Sequence, residues 1–110
     1  MNVTTRDIDG TSVVRLEGRL DTATAPSLET TCSKLIVSGA KRIVIDMAQL
    51  EYLSSAGLRV MLAVAKQLQA GGGRLTVCGA ENIVLETLQL SGIPGIIPVC
   101  PTLDDALGED

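Results

Sequence analysis

The sequence predicts a single α/β domain over residues 1–110, with a mixed, mostly parallel β-sheet that opens on an N-terminal β-hairpin. Two observations carry this prediction. Short β-prone runs alternate with about four helical patterns in the order ββαβαβαβα, and such alternation demands a parallel sheet covered by helices. An Asp-Gly pair near the N-terminus marks a hairpin before the alternation begins. The length suffices for one hydrophobic core.

The first two strands are expected at Asn2–Ile8 and 12–17, joined by Asp9 and Gly10. Both turn residues tolerate the positive φ that tight hairpin turns require. This pair supplies the antiparallel part of the sheet. A loop is then expected over residues 18–24.

The first helix is expected to begin near Thr24, which could cap it, and to end at Gly39. Pro26 falls in the first turn, where a missing N–H costs little. Four apolar residues recur at the spacing of one helix face, namely Leu28, Cys32, Leu35 and Ile36.

A short β-branched strand is predicted at residues 42–46, with Asp46 ending it or capping the next turn. The second helix is predicted at Ser55–Ala70, and the glycines 71–73 terminate it. Its core face is expected to consist of Leu58, Met61, Leu62, Ala65 and Leu68.

The last part of the chain predicts a strand at 75–78, a helix at 81–90 and a strand at 96–99. Pro98 lacks a backbone donor, so the final strand should lie at an edge of the sheet. Residues 102–105 resemble a capping box that opens a last short helix.

Composition argues against several classes of function. The formal net charge is −4 and no basic patch stands out, which disfavours nucleic acid or an anionic membrane as a partner. Three widely spaced cysteines and the lack of histidine argue against a disulfide framework, a metal site or a haem. The polar N-terminus does not resemble a signal peptide, and no apolar run approaches the ~20 residues of a membrane span. We therefore expect a cytoplasmic protein without cofactor.

Enzyme motifs are also missing from the sequence. Without histidine there is no Ser-His-Asp triad, and no Gly-x-Ser-x-Gly elbow occurs. Asp46 and Glu51 could form a carboxylate pair, but no pocket is implied. The glycines 71–73 lack the Lys-Ser/Thr of a phosphate-binding loop and follow a helix, which indicates a helix stop. We expect a binding protein and not an enzyme.

Ser54 and Ser55 stand between the buried strand and the second helix, where loops of parallel sheets often carry function. A serine here could simply cap the helix, an interaction worth ~1 kcal/mol. It could also take a phosphate, because free N–H groups and a partial positive charge at a helix N-terminus accept an anion. Position alone leaves both interpretations open.

The outward face of the second helix carries small apolar residues, namely Ala56, Val60 and Ala63, followed by Gln67. Solvated helix faces usually carry more charge. A partner protein could dock on this stripe, with Arg59 and Lys66 beside it to pair with acidic groups. Alternatively, a neighbouring helix covers it, or its members are scattered surface residues without a special role.

Three stretches of the sequence resemble the STAS domain, and within it the free-standing anti-sigma factor antagonists of bacteria. They are residues 16–21 (LEGRLD), residues 43–60 around the serine pair, and residues 72–75 (GGRL) with the later 90–93 (LSGI). The resemblance runs nearly end to end, and the serine-pair segment is its most specific part.

The resemblance implies a partner switch. Such an antagonist binds an anti-sigma factor serine kinase and thereby frees a sigma factor. The kinase phosphorylates a serine at the start of the second helix, and a metal-dependent serine/threonine phosphatase resets the protein. The resemblance carries this serine onto Ser55 and an acidic docking residue onto Asp21. Many members have Asp where this chain has Ser54, so Ser54 is the second candidate for phosphorylation.

The predicted docking surface gathers the residues around this serine and along the outward stripe. It consists of Asp21, Thr22, Ser54, Ser55, Ala56, Gly57, Arg59, Val60 and Ala63. The protein is expected to be a monomer with no direct contact to nucleic acid. The alternative function is an accessory or scaffold subunit of a transport or stress-signalling complex, which would use the same surface without a phosphate switch.

Overall fold

Five strands form one mixed sheet in the order β1-β2-β3-β4-β5. The computed structural model describes residues 1–108. The strands are β1 (Asn2–Ile8), β2 (Thr11–Leu20), β3 (Arg42–Leu53), β4 (Arg74–Cys78) and β5 (Val99–Cys100). The helices are α1 (Ala25–Val37), α2 (Ser55–Ala70), α3 (Asn82–Leu90) and α4 (Leu103–Leu107), with a 3-10 turn at Ile93–Gly95. The predicted element order and α/β fold class are confirmed.

The N-terminal hairpin forms as predicted. Strand β1 pairs with β2 in antiparallel fashion, and the three other pairings are parallel. Asp9 and Gly10 have φ values of 50° and 86°, the two positive angles of a tight hairpin turn. The Gly10 N–H also donates to Asp7 Oδ1 at 3.0 Å.

Helices α1, α2 and α3 pack on one face of the sheet, and α4 packs on the other. Each parallel connection steps to the next strand in the same direction, and right-handed crossovers then place their helices on one side. The strands alternate between the two faces. Ile43, Ile45 and Val77 join the large core beneath α1–α3, while Val44 and Cys78 pack with α4.

Strands β2 and β3 are longer than predicted. Strand β2 continues to Leu20, so the loop expected over 18–24 is shorter. Strand β3 does not stop at Asp46 but runs to Leu53. Two register shifts, each adding one residue to β3, lie opposite β2. These bulges interrupt the two-residue alternation on which the sequence prediction rested. At the first bulge, Asp46 Oδ1 accepts a hydrogen bond from the Ala48 N–H at 3.0 Å.

The core face of α2 agrees with the prediction only in part, and Leu58 is only half-buried. Leu62 is 38% exposed, whereas Val64, which the sequence prediction left out, is 1% exposed. The buried line runs along Gly57, Met61, Val64, Ala65 and Leu68. Leu62 follows Met61 by one residue, a rotation of about 100° that turns it off this line.

The C-terminal strand is shorter than predicted but lies where expected. Residues 96–98 follow the 3-10 turn without forming a strand, and β5 begins only at Val99. It is an edge strand, as Pro98 indicated. The Pro98 carbonyl accepts from the Val77 N–H at 2.9 Å. Thr102 caps α4 through its Oγ1, which accepts from the Asp105 N–H at 3.1 Å.

The cysteines Cys32, Cys78 and Cys100 are all buried, and none is in a disulfide. Burial raises the pKa of the Cys32 thiol, and of the Cys78 thiol, to about 12. Buried, protonated thiols behave as small apolar residues, as the sequence predicted. Among residues 1–108, no helix combines the length and the apolar character needed to cross a membrane.

The glycine triplet after α2 ends the helix as predicted, and each glycine has a different environment. Gly72 has a φ of +81°. A Cβ on Gly73 would overlap the Lys41 carbonyl oxygen, whereas a Cβ on Gly71 would meet only ordinary contacts, the nearest at 3.5 Å.

We therefore expect Gly73→Ala to lower the free energy of unfolding by about 2 kcal/mol, because the backbone around Lys41 must move. Gly71→Ala is the matched control and should change it by less than about 0.5 kcal/mol. Urea unfolding measures both, and equal effects would contradict this account.

Candidate partner-docking surface

The carboxyl ends of β2 and β3 lie side by side and bring residues 21 and 54 to the same edge of the sheet. Leu20 pairs with Leu53 in parallel register. Beyond this pair, the Ser54 N–H donates to the Leu20 carbonyl at 2.9 Å. The loop after β2 and the first turn of α2 are therefore neighbours, although about 30 residues separate them in sequence.

The two serines have different environments. Ser54 is half-buried and is the N-cap of α2, with its Oγ accepting from the Gly57 N–H at 3.3 Å. Ser55 is the first residue of the helix and is exposed. The capping interpretation of the pair thus applies to Ser54, while the Ser55 side chain lies open to solvent.

Gly57 differs from the rest of the predicted docking set because it is buried. A Cβ at this position would lie 2.7 Å from Leu20 Cγ and 2.9 Å from Leu53 Cδ1. The absence of a side chain lets the first turn of α2 pack directly on the ends of β2 and β3. Gly57 therefore acts through packing, and a partner contact at this residue stays a prediction.

Asp21 organises the loop between β2 and α1. Its Oδ1 accepts from the N–H groups of Ala23 at 3.0 Å and Thr24 at 3.1 Å. The Thr24 hydroxyl lies 3.1 Å from the same oxygen and 2.7 Å from the Arg19 carbonyl, and it accepts from the Asp21 N–H at 2.9 Å. Thr24 is thus the N-cap residue of α1 without a side-chain capping bond.

These contacts hold the pKa of the Asp21 carboxyl below its ordinary value, with the Thr24 hydroxyl as the largest cause and the backbone N–H groups and Arg19 as smaller ones. Desolvation opposes this effect. The carboxylate that the sequence analysis assigned to docking is therefore already engaged, through Oδ1, in shaping its own loop.

Arg19 and Tyr52, which the predicted docking set omits, pack together beside this loop. They are register partners on β2 and β3. The Arg19 guanidinium carbon lies 4.3 Å from the centroid of the Tyr52 ring, and Arg19 Nε lies 4.0 Å from Asp21 Oδ2. The sequence did carry one signal, since Tyr52 is its single aromatic residue, but their pairing depends on the bulged register.

A groove between α1 and α2 contains most of the outward stripe. Its lining includes Thr22, Ala25, Pro26, Glu29, Ala56, Arg59, Val60 and Ala63. Ala56 and Val60 are half-buried against the core, and Ala63 is exposed. Helix α1 packs beside α2, so it covers one side of the stripe and leaves the other open. A covering helix, one of the alternatives, is therefore found on one side of the stripe, and docking of a partner on the open side stays a prediction.

We expect Ser54→Ala to lower the free energy of unfolding by about 1 kcal/mol, because it removes the capping bond of α2. Ser55→Ala removes only an exposed hydroxyl and should leave stability within about 0.5 kcal/mol of the parent. Urea unfolding of both variants measures this difference. Equal losses would show that the cap is not specific to Ser54.

We also expect Asp21 to contribute to the pH dependence of stability. Its pKa is lower in the folded than in the unfolded chain, so its contribution is present above the unfolded value and is lost as the pH falls through the folded value. Asp21→Asn should therefore lose less stability than the parent between about pH 5 and pH 2. Asp9→Asn is the control, since Asn tolerates the φ of 50° there. Urea midpoints across this range test the prediction, and identical profiles for Asp21→Asn and the parent would contradict it.

Comparison with known proteins places this chain and its fold in one family. The STAS domain model matches residues 2–106. The Bordetella bronchiseptica protein BtrV, assigned as an anti-sigma factor antagonist, is 39% identical over 106 residues, which cover 96% of this chain and 91% of BtrV. The anti-sigma-F factor antagonist RsfB of Mycobacterium tuberculosis is 26% identical, with 97% of this chain and 87% of RsfB covered. The crystal structure of an anti-sigma factor antagonist from Mycobacterium paratuberculosis superposes with a TM-score of 0.89 at 33% identity, covering 96% and 90% of the two chains. The chain therefore belongs to the STAS domain family.

Proposed function

We propose that the protein is an anti-sigma factor antagonist, which binds an anti-sigma factor serine kinase and thereby releases a sigma factor. The relatives support this role, because BtrV and the Mycobacterium paratuberculosis protein match over nearly the whole chain. The observation that carries the proposal is the exposed Ser55 at the start of α2, beside a groove lined by small apolar side chains. A kinase can reach this hydroxyl while docked on the adjoining surface.

Phosphorylation of Ser55 ends the interaction in this proposal. A phosphoserine brings nearly two negative charges, and the N–H groups and partial positive charge at the start of α2 tolerate them. Ser54 keeps its capping bond to the Gly57 N–H, so the fold survives the modification. The surface changes sign where the partner docks, and like-charge contacts across an interface cost several kcal/mol.

Ser55 is favoured over Ser54 as the acceptor for a physical reason. The Ser54 Oγ already serves as the cap of α2 and its residue is half-buried. A phosphate on this oxygen would have to fit at a half-buried position and would rearrange the contact through which Ser54 caps α2. A phosphate on Ser55 requires neither change.

The remaining parts of the cycle follow from the same surface. A metal-dependent serine/threonine phosphatase resets the protein by hydrolysing the phosphate, which projects from an exposed residue. The protein acts as a monomer in the bacterial cytoplasm, touches no nucleic acid itself and supplies no catalytic group. Its role is to be bound, modified and released.

The test uses the purified protein with the anti-sigma factor kinase of the same organism and ATP. We expect mass spectrometry to find phosphate on Ser55, in the parent and in Ser54→Ala but not in Ser55→Ala. Ser55→Ala should bind the kinase like the parent, and Ser55→Asp should bind at least about tenfold more weakly. The control is Ser91→Asp, at an exposed serine after α3. Tight binding by Ser55→Asp would reject the switch, and a complex without phosphate transfer would favour a constitutive scaffold.

A further inference from the structure

The Arg19 side chain lies at the edge of the docking surface and is held in place by two neighbours. Its guanidinium packs over the Tyr52 ring at 4.3 Å, and its Nε lies 4.0 Å from Asp21 Oδ2. A cation over an aromatic face is attracted by the ring. A side chain positioned in this way loses little rotamer freedom when a partner binds.

The two neighbours leave the donors of Arg19 available. The distance of 4.0 Å to Asp21 exceeds that of a hydrogen bond, so Asp21 attracts the guanidinium without occupying its N–H groups. The other carboxylate oxygen of Asp21 is engaged by Ala23 and Thr24. The Arg19 side chain is 59% exposed, which leaves a planar fork of donors facing solvent.

We infer that Arg19 determines specificity in docking by pairing with a carboxylate on the partner protein. This inference rests on the proposed function and names one contact within it. A guanidinium fork matches the two oxygens of a carboxylate. The Tyr52 ring and Asp21 orient this fork before the partner binds. Arg59 is exposed in the groove between α1 and α2, on the other side of this edge of the sheet, and adds a second positive charge for the partner. The partner therefore carries acidic side chains opposite the start of α2.

This contact also explains how one phosphate could end docking. The backbones of residues 20 and 54 meet at one edge of the sheet, while Arg19 and Tyr52 alternate with the core-facing Leu20 and Leu53 and so lie on the sheet face away from α2. A partner that covers this edge would contact both Arg19 and the start of α2. A phosphate on Ser55 adds negative charge at this edge and repels the partner's acidic side chains. Loss of the partner then requires no change in the fold.

The test compares Arg19→Ala with Arg15→Ala. Arg15 lies on the same strand and, four residues away, on the same face of the sheet, and it is similarly exposed, with Glu17 as its ion partner at 3.8 Å. We expect Arg19→Ala to bind the purified anti-sigma factor kinase about tenfold more weakly than the parent, as for the loss of one close charge pair across an interface. Arg15→Ala should bind like the parent. Titration calorimetry measures both, with circular dichroism to confirm folding.

Two further variants distinguish the roles of the Arg19 charge and the Tyr52 ring from a general loss of folding. Arg19→Glu should bind more weakly than Arg19→Ala at low salt, and the difference should shrink at high salt, because it is electrostatic. Tyr52→Phe keeps the ring beneath the guanidinium and should bind like the parent.

Two outcomes would overturn the inference. One is Arg19→Ala binding as tightly as the parent, and the other is Arg15→Ala losing as much affinity as Arg19→Ala. In either case, weak binding of the kinase by Ser55→Asp would still support the proposed function. Equal, tight binding by Ser55→Asp and Arg19→Ala would reject both.

Discussion

The pairing of β2 with β3 up to their carboxyl ends is the constraint on which the rest of the surface depends. Leu20 and Leu53 lie opposite each other, and the Ser54 N–H continues the pairing to the Leu20 carbonyl. The missing side chain at Gly57 then allows α2 to start directly on these two leucines. Because this junction is tightly packed, its position fixes the serine pair, the Asp21 loop and the groove beside α1 with respect to one another.

The sequence predicts well those features that depend on local chemistry. The hairpin turn at Asp9–Gly10, the end of α2 and the cap at Thr102 follow from the few residue types that such positions accept. The element order follows because periods of two and of about 3.6 residues differ clearly over a segment. The serine pair could be singled out because it stands at a helix start after a buried strand.

The features that escaped prediction depend on contacts between distant segments. The bulges of β3 place polar residues such as Gln49 within a strand, so its C-terminal half read as a loop. Leu62 is exposed because of the way α2 is rotated on the sheet. This rotation is set by contacts with distant segments and not by the neighbours of Leu62 in sequence. The Arg19–Tyr52 contact requires the register of two strands that are joined through a helix. The surface role of a residue is thus harder to predict than its secondary structure.

The second bulge of β3 is a place where the length of this strand can change without changing which side chains reach the surface. Arg19 pairs with Tyr52 and Gly18 with Leu50, so Glu51 is the extra residue between them. Leu50 and Leu53 both face the core although they are three residues apart, because the bulge adds Glu51 to the ordinary alternation of faces. Deletion of Glu51 would leave Leu50, Tyr52 and Leu53 opposite Gly18, Arg19 and Leu20 in plain alternation, with the tyrosine still outward. In evolution, a residue can therefore be lost at this bulge, whereas a loss within a regular part of the strand exchanges its two faces.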